Sequence, residues 1–144
     1  MKILPIDSLN QDVILKILTD ADEDFYPPLS KKVDLNTWAV KLSKNANFIL
    51  VQNDNKTLGC LAYYLNKDNR YVFIPFLWVR RTIQSAGWGS RLINHLLEIV
   101  FIDYEEIRLE VVKNNVKAIL FYEKNGFSII EDGESKFLLA KHLS

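Results

Sequence analysis

With a single cysteine, Cys60, the chain cannot close an internal disulfide. The apolar run LGCLAYY around it reads as the setting of a small core residue rather than of a reactive thiol. Histidine is nearly as scarce, at two residues, and no Cys/His cluster has the spacing of a zinc site, so no metal is expected. Neither sign of charge predominates: Lys plus Arg and Asp plus Glu number 18 each, which leaves no bulk field to hold nucleic acid or an anionic membrane surface. No segment approaches the roughly 18 consecutive apolar residues of a membrane span. The N-terminal MKILPIDSLNQ lacks the basic start and continuous apolar stretch of a secretion signal. A cytoplasmic protein with neither nucleic acid nor membrane as partner is the expectation.

What the chain does have is apolar residues at 49% of its 144 positions, enough for one sizeable core, and a single domain over 1–144 is expected. Lys2 to Ile6 alternates and reads as a short strand. Asp7 or Ser8 can then cap a helix to about Asp20 that carries Leu9, Val13, Ile14, Ile17 and Leu18. The stretch ADEDFYPPLSKKV, with its acids, aromatics and Pro pair, predicts an irregular loop before a second helix starting at Asp34, where Leu35, Trp38, Ala39 and Leu42 fall at helical spacing.

Phe48 to Gln52, Leu58 to Leu65 and Tyr71 to Val79 read as strands of an antiparallel meander, separated by the turn-forming NDNK and NKDNR. Leu92, Ile93, Leu96, Leu97, Val100 and Phe101 recur at spacings of three and four and mark an amphipathic helix opened by QSAGWGS. IRLEVV reads as a strand, Asn115 to about Lys124 as a helix stopped by Gly126, and Phe127 to Glu131 and Lys136 to Ala140 as strands flanking EDGES. The order βααβββαβαββ contains one strand, helix, strand crossover, which places strands four and five parallel in a mixed α/β (α+β) fold.

The junction that matters chemically is the one from the fourth strand into the third helix. A strand ending at Val79 that turns through RRTIQSAGWGS into a helix leaves main-chain N–H groups unpaired at the helix start, and the peptide dipoles add partial positive charge there. Gly87 and Gly89 lack side chains that would keep a phosphate from that backbone, and Arg80, Arg81 and Arg91 are nearby full charges. The plainer reading is that both glycines only shape the turn. A P-loop is disfavoured because no GK[ST] follows, and a dinucleotide fingerprint because Leu92 stands where the third glycine belongs.

The segment from Val79 through Gln84-Ser85-Ala86-Gly87-Trp88-Gly89 resembles the Q/R-x-x-G-x-G/A signature of the GNAT superfamily of N-acetyltransferases. A second signature of that family, L-x-V-x-x-x-N-x-x-A-x-x-x-Y-E-x-x-G-F, is similar to Leu109, Val111, Asn115, Ala118, Tyr122, Glu123, Gly126 and Phe127. The resemblance implies a mostly antiparallel sheet of six to seven strands with four helices, splayed between strands four and five. It implies acetyl-CoA as cosubstrate, held by Leu77, Trp78 and Val79, by Gln84 to Ser90, and by Asn115, Ala118 and Tyr122. Ser85 and Ala86 depart from the family's usual glycine and basic residue.

Transfer begins when a neutral amine attacks the thioester, which puts negative charge on the carbonyl oxygen and then expels the thiolate. For that oxygen the resemblance suggests a main-chain N–H near Trp78 or Val79. Tyr122 is implied as the acid that protonates the thiolate; packing against Ile119 and Phe127 is its alternative reading. Asn115 reads as a helix cap, as a partner of the pantetheine arm, or as both. Glu110 is the candidate base: it points away from Leu109 and Val111, and a Glu at this place is the base in the similar ribosomal-protein N-terminal acetyltransferases. An exposed strand Glu without a catalytic role is the equal alternative.

In that fold the loop between the first two helices lines the acceptor site. Phe25, Tyr26, Pro27, Pro28 and Leu29 lie there beside Asp22, Glu23 and Asp24, whose charge could draw a cationic amine. Phe76, with Tyr64, Tyr71 and Phe73, is expected to complete the wall. So aromatic a loop suits a small-molecule amine or a protein N-terminus better than a long extended peptide. The expected activity is N-acetyl transfer by direct attack in a ternary complex, in a monomer or homodimer; a non-catalytic acetyl-CoA sensor of the same fold is the alternative.

Overall fold

The computed structural model describes residues 1–143. Seven strands, β1 (Lys2–Ile6), β2 (Asn47–Asn53), β3 (Lys56–Asn66), β4 (Tyr71–Val79), β5 (Glu106–Val112), β6 (Ser128–Asp132) and β7 (Lys136–His142), form one sheet in the order β1-β2-β3-β4-β5-β7-β6. Four α-helices accompany them: α1 (Gln11–Ala21), α2 (Leu35–Asn45), α3 (Trp88–Val100) and α4 (Val116–Lys124). No helix among the described residues is long and apolar enough to cross a membrane. Two compact units divide the chain, Met1–Tyr63 with Phe76–Leu92, and Tyr64–Pro75 with Ile93 onward.

In the first unit β1, β2 and β3 pair antiparallel, with Leu4 opposite Leu50 and Leu50 opposite Cys60. Phe48, Ile49, Leu50 and Val51 are all buried, so β2 is covered on both faces, and its four-residue apolar run takes the place of alternation. The β2–β3 reversal places Asp54 and Asn55 at positive φ (50° and 68°), a conformation these short polar side chains tolerate, which makes NDNK a hairpin turn. Helix α1 is capped by Asn10, whose Oδ1 accepts the Val13 N–H at 3.0 Å, rather than by Asp7 or Ser8; those two stand too far upstream to reach the first free amides. Its buried stripe is Ile14, Ile17, Leu18 and Ala21, while Val13 is exposed. The expected loop before α2 contains two short 3-10 turns, Asp22–Asp24 and Leu29–Lys31.

In the second unit Tyr71, Val72 and Phe73 of β4 run parallel to Glu106, Ile107 and Arg108 of β5. That ladder covers three residues of a nine-residue β4. From Glu106 to Val112, β5 also pairs antiparallel with β7, and β7 with the edge strand β6. Along β5, Ile107, Leu109 and Val111 are buried, so Glu106, Arg108 and Glu110 face the other way. Phe101 lies beyond the end of α3 and is exposed, because one residue past the buried Val100 turns the side chain off the apolar stripe.

Gly126 ends α4 at φ 92°, and a Cβ built on it would meet the Lys141 ammonium, which donates to the Asn125 carbonyl at 2.8 Å. Gly126→Ala should therefore lower stability by about 1–2 kcal/mol, from left-handed strain with the Lys141 contact displaced. A urea midpoint moved down at unchanged slope would show it; an unmoved midpoint would refute it.

Candidate active site

The chain reversal from β4 into α3 is built within the first unit. The Arg80 N–H donates to the Leu58 carbonyl at 2.8 Å as the strand ends, and residues Arg81–Ala86 coil into a 3-10 turn. The Gln84 side-chain amide donates back to the Val79 carbonyl at 2.9 Å, which closes the turn. Gly87 then adopts φ 80°, with open space where a Cβ would stand, and its carbonyl accepts the Arg91 N–H as α3 begins. The αL conformation selects glycine here, and the missing side chain leaves the backbone approachable.

Gln84, Ser85, Ala86 and Gly87 are exposed, Gly89 and Ser90 half-buried, and Trp88 buried. The motif thus presents its polar main chain and buries its aromatic. Upstream, Trp78 and Val79 are buried and Leu77 half-buried. The Arg91 guanidinium lies 4.0 Å from the centre of the Trp88 ring.

Of the three arginines near this turn, two are committed elsewhere. Arg80 pairs with Asp20 at 3.3 Å and donates to the Thr57 carbonyl at 3.1 Å. Arg81 pairs with Asp24 at 3.6 Å and donates to the Glu23 carbonyl at 3.2 Å. Asp20 near the end of α1 and Asp24 of the α1–α2 loop thus neutralise the arginines that were expected to serve phosphate, whereas the exposed Glu23 carboxylate has no partner among the described residues. Arg91 is left as the arginine nearest the turn without an acidic partner among the described residues.

That loop is also closed on itself. Asp22 accepts from the Ser30 N–H and hydroxyl, both at 2.8 Å. Asp24 accepts from the Trp78 indole N–H at 3.0 Å and from the Arg81 N–H at 3.2 Å. Between these ties, Phe25 stacks on Phe76 at 5.9 Å, and Trp38 meets the same Phe76 ring edge-on at 5.7 Å. Of the expected acceptor-lining residues, Leu29 and Phe76 are buried, Phe25 and Pro28 half-buried, and Tyr26 is 96% exposed. The Trp78–Asp24 bond was not legible in the sequence, since 54 residues separate the partners.

In the second unit Asn115 caps α4, its Oδ1 accepting the Ala118 N–H at 3.2 Å, which leaves its side-chain NH2 available to a ligand. Tyr122 sits between Phe121 at 5.1 Å and Phe127 at 5.6 Å, both edge-on. Desolvation there pushes the phenol well above its ordinary range, so it is neutral and a hydrogen-bond donor throughout the neutral pH range. Glu110 is exposed and has no hydrogen bond or ion pair among the described residues, whereas Glu106 on the same face is paired with Arg108.

Tyr64, Tyr71 and Phe73 line an open depression of about 590 Å³ together with Asn66, Lys67 and Asp68. Phe76, expected to complete the same wall, is buried and stacks on Phe25. Among the described residues no three His, Cys, Asp or Glu side chains are grouped to hold a metal ion.

The model of the acetyltransferase (GNAT) family matches residues 12–127. Over 77 residues the chain is 36% identical to N-alpha-acetyltransferase 50 of Danio rerio, a match covering 52% of this chain and 34% of that protein. The chain thus spans about a third of the length of this curated relative. The ribosomal-protein-S18-alanine N-acetyltransferase of Escherichia coli superposes with a TM-score of 0.76 at 19% identity, over 99% of this chain and 94% of that one. PaiA N-acetyltransferase of Thermoplasma acidophilum, solved in complex with coenzyme A, superposes with a TM-score of 0.77 at 17% identity, over 99% of both chains. At such identities these two structures bear on the fold.

Tyr122 also sets an alkaline limit. A phenol whose pKa is higher in the folded than in the unfolded chain contributes stability that is complete below the unfolded value of about 10 and is lost as pH rises beyond it, because the unfolded chain ionises first. Melting temperatures taken from pH 8 to 11 should therefore fall more steeply above pH 10 for the wild type than for Tyr122→Phe. Parallel curves would place the phenol in contact with water.

Proposed function

Because the chain belongs to the acetyltransferase (GNAT) family, we propose that it is an acyltransferase, with residues 1–144 acting as one acetyl-CoA-dependent domain. It passes the acetyl group to a primary amine of a small molecule or a protein N-terminus, by direct attack in a ternary complex. The observation that carries this reading is the β4–α3 turn. Its exposed backbone from Gln84 to Gly87 and the side-chain-free Gly87 lie at a helix start, where a diphosphate gains both hydrogen bonds and dipole. Two relatives support it: the matched Danio rerio protein is named an N-alpha-acetyltransferase, and PaiA was solved with coenzyme A bound.

Bound acetyl-CoA supplies an activated acyl group. On this chain Gln84 to Ser90 cradle the diphosphate, with Arg91 as the nearby charge, and Leu77, Trp78 and Val79 run beside the acyl arm. The Trp78 or Val79 N–H donates to the oxygen on which charge develops, a fixed dipole that needs no reorganisation during the reaction. The Asn115 NH2 would hold the pantetheine, and Ala118, whose N–H is taken by the Asn115 cap, would lie along it. Glu110, unpaired and solvent-exposed, takes the proton of the incoming ammonium directly or through water. The neutral phenol of Tyr122, whose ionisation desolvation pushes further up, offers its O–H to the departing sulfur. Phe25, Tyr26, Pro28 and Leu29 over Phe76 form the acceptor side, and of these Tyr26 is the most exposed.

Acetyl-CoA should raise the melting temperature, and an amine panel should release coenzyme A thiol. Stabilisation without turnover on any amine would favour a sensor of the same fold. Tyr122→Phe should lower kcat by about 100-fold or more while the acetyl-CoA-induced thermal shift persists. Undiminished turnover in that variant would remove Tyr122 from the mechanism.

A further inference from the structure

We propose that Asp24 is a positioning residue that makes the aromatic α1–α2 loop and the β4–α3 turn move as one piece, so that occupation of the turn by acetyl-CoA orders the loop that receives the acceptor. The inference rests on the reading of that turn as the acetyl-CoA site. Every residue it uses lies in the first unit.

A single oxygen does the coupling. Oδ2 of Asp24 accepts the indole N–H of Trp78 at 3.0 Å and the main-chain N–H of Arg81 at 3.2 Å. Trp78 is 2% exposed, so its N–H has no recourse to water and would be orphaned without this carboxylate. Arg81 is the first residue of the 3-10 turn. A shift of the turn therefore strains a bond to the same oxygen that satisfies the buried indole. The ion pair from Arg81 to Oδ1, at 3.6 Å with the arginine side chain 70% exposed, adds little beside these two bonds.

On the loop side, Asp24 immediately precedes Phe25. Phe76 and Trp78 are two apart on β4 and share one face. The loop thus grips that face twice, by the Phe25–Phe76 stack and by the Asp24–Trp78 bond. The Asp22–Ser30 bonds close the segment between them. Movement at Asp24 is consequently passed to the base of the segment that carries the exposed Tyr26, not dissipated in a slack chain.

Hydrogen exchange of residues 25–30, with and without saturating acetyl-CoA, tests this. In the wild type acetyl-CoA should slow exchange by about fivefold or more, the lower end of ordinary coupling between sites. Asp24→Ala should abolish the slowing and raise the acceptor KM more than it lowers kcat. Trp78→Phe, which removes the indole donor but keeps a smaller aromatic ring, should do the same, so the question stays open to refutation if Asp24→Ala does not fold. Asp24→Asn, whose amide oxygen can still accept from the indole, should restore most of the protection. The proposal is overturned if acetyl-CoA leaves wild-type exchange unchanged, or if the alanine or phenylalanine variant keeps full protection. Calorimetry on the wild type separates the two claims: no binding of acetyl-CoA sinks the functional reading and this one together, whereas binding without any change in the loop sinks this one alone.

Discussion

A strand that ends and a helix that begins must both leave main-chain groups without regular partners, and in this protein the two ends meet within nine residues, Val79 to Trp88. The chain settles part of that debt internally. Gln84 satisfies the Val79 carbonyl, Leu58 takes the Arg80 N–H, and Asp24 takes the Arg81 N–H. What remains is the exposed segment from Gln84 to Gly87, with open space where a Gly87 side chain would stand. The hydrogen bonds of Gln84, Leu58 and Asp24 hold this short stretch in place, and the proposed anion binding rests on it.

Charge in the first unit is spent on holding elements together. A neutral chain has no general field, so the effect of each charge depends on its neighbour. Asp20 of α1 and Asp24 of the loop meet Arg80 and Arg81, and Asp22 holds Ser30, while the Glu23 carboxylate has no partner among the described residues. In the proposed function, shape and aromatic surface would contribute to selectivity for the acceptor, with Tyr26 exposed and Phe25 anchored on Phe76.

Proton handling follows a similar division in the second unit. Desolvation among its aromatic neighbours raises the Tyr122 phenol above its already alkaline ordinary value, and Glu110 has no cationic partner among the described residues, in contrast to Glu106 four residues earlier on the same strand face. A donor held neutral and an acceptor held unpaired are what an exchange of protons between an amine and a thiolate requires.

Much of this was written in local pattern. The spacing of Leu92, Ile93 and Leu96, the alternation of Ile107, Leu109 and Val111, the NDNK turn and the glycine at 87 each follow from bond geometry that repeats every residue or every turn, so they survive in a linear reading. The cap of α1 at Asn10 was misplaced by two to three residues because Asp7, Ser8 and Asn10 have equivalent side-chain chemistry, and only the position at which the backbone turns helical chooses among them. What the order of residues could not determine is which charges cancel and which remain free. Asp20 and Arg80 are 60 residues apart, Asp24 and Trp78 54. Coulomb attraction and hydrogen bonding act over a few ångströms of space and take no account of distance along the chain. The sequence by itself therefore determined the elements, the family signature and the β4–α3 turn, while the tertiary structure alone decided that Asp20 and Asp24 pair with Arg80 and Arg81 beside that turn.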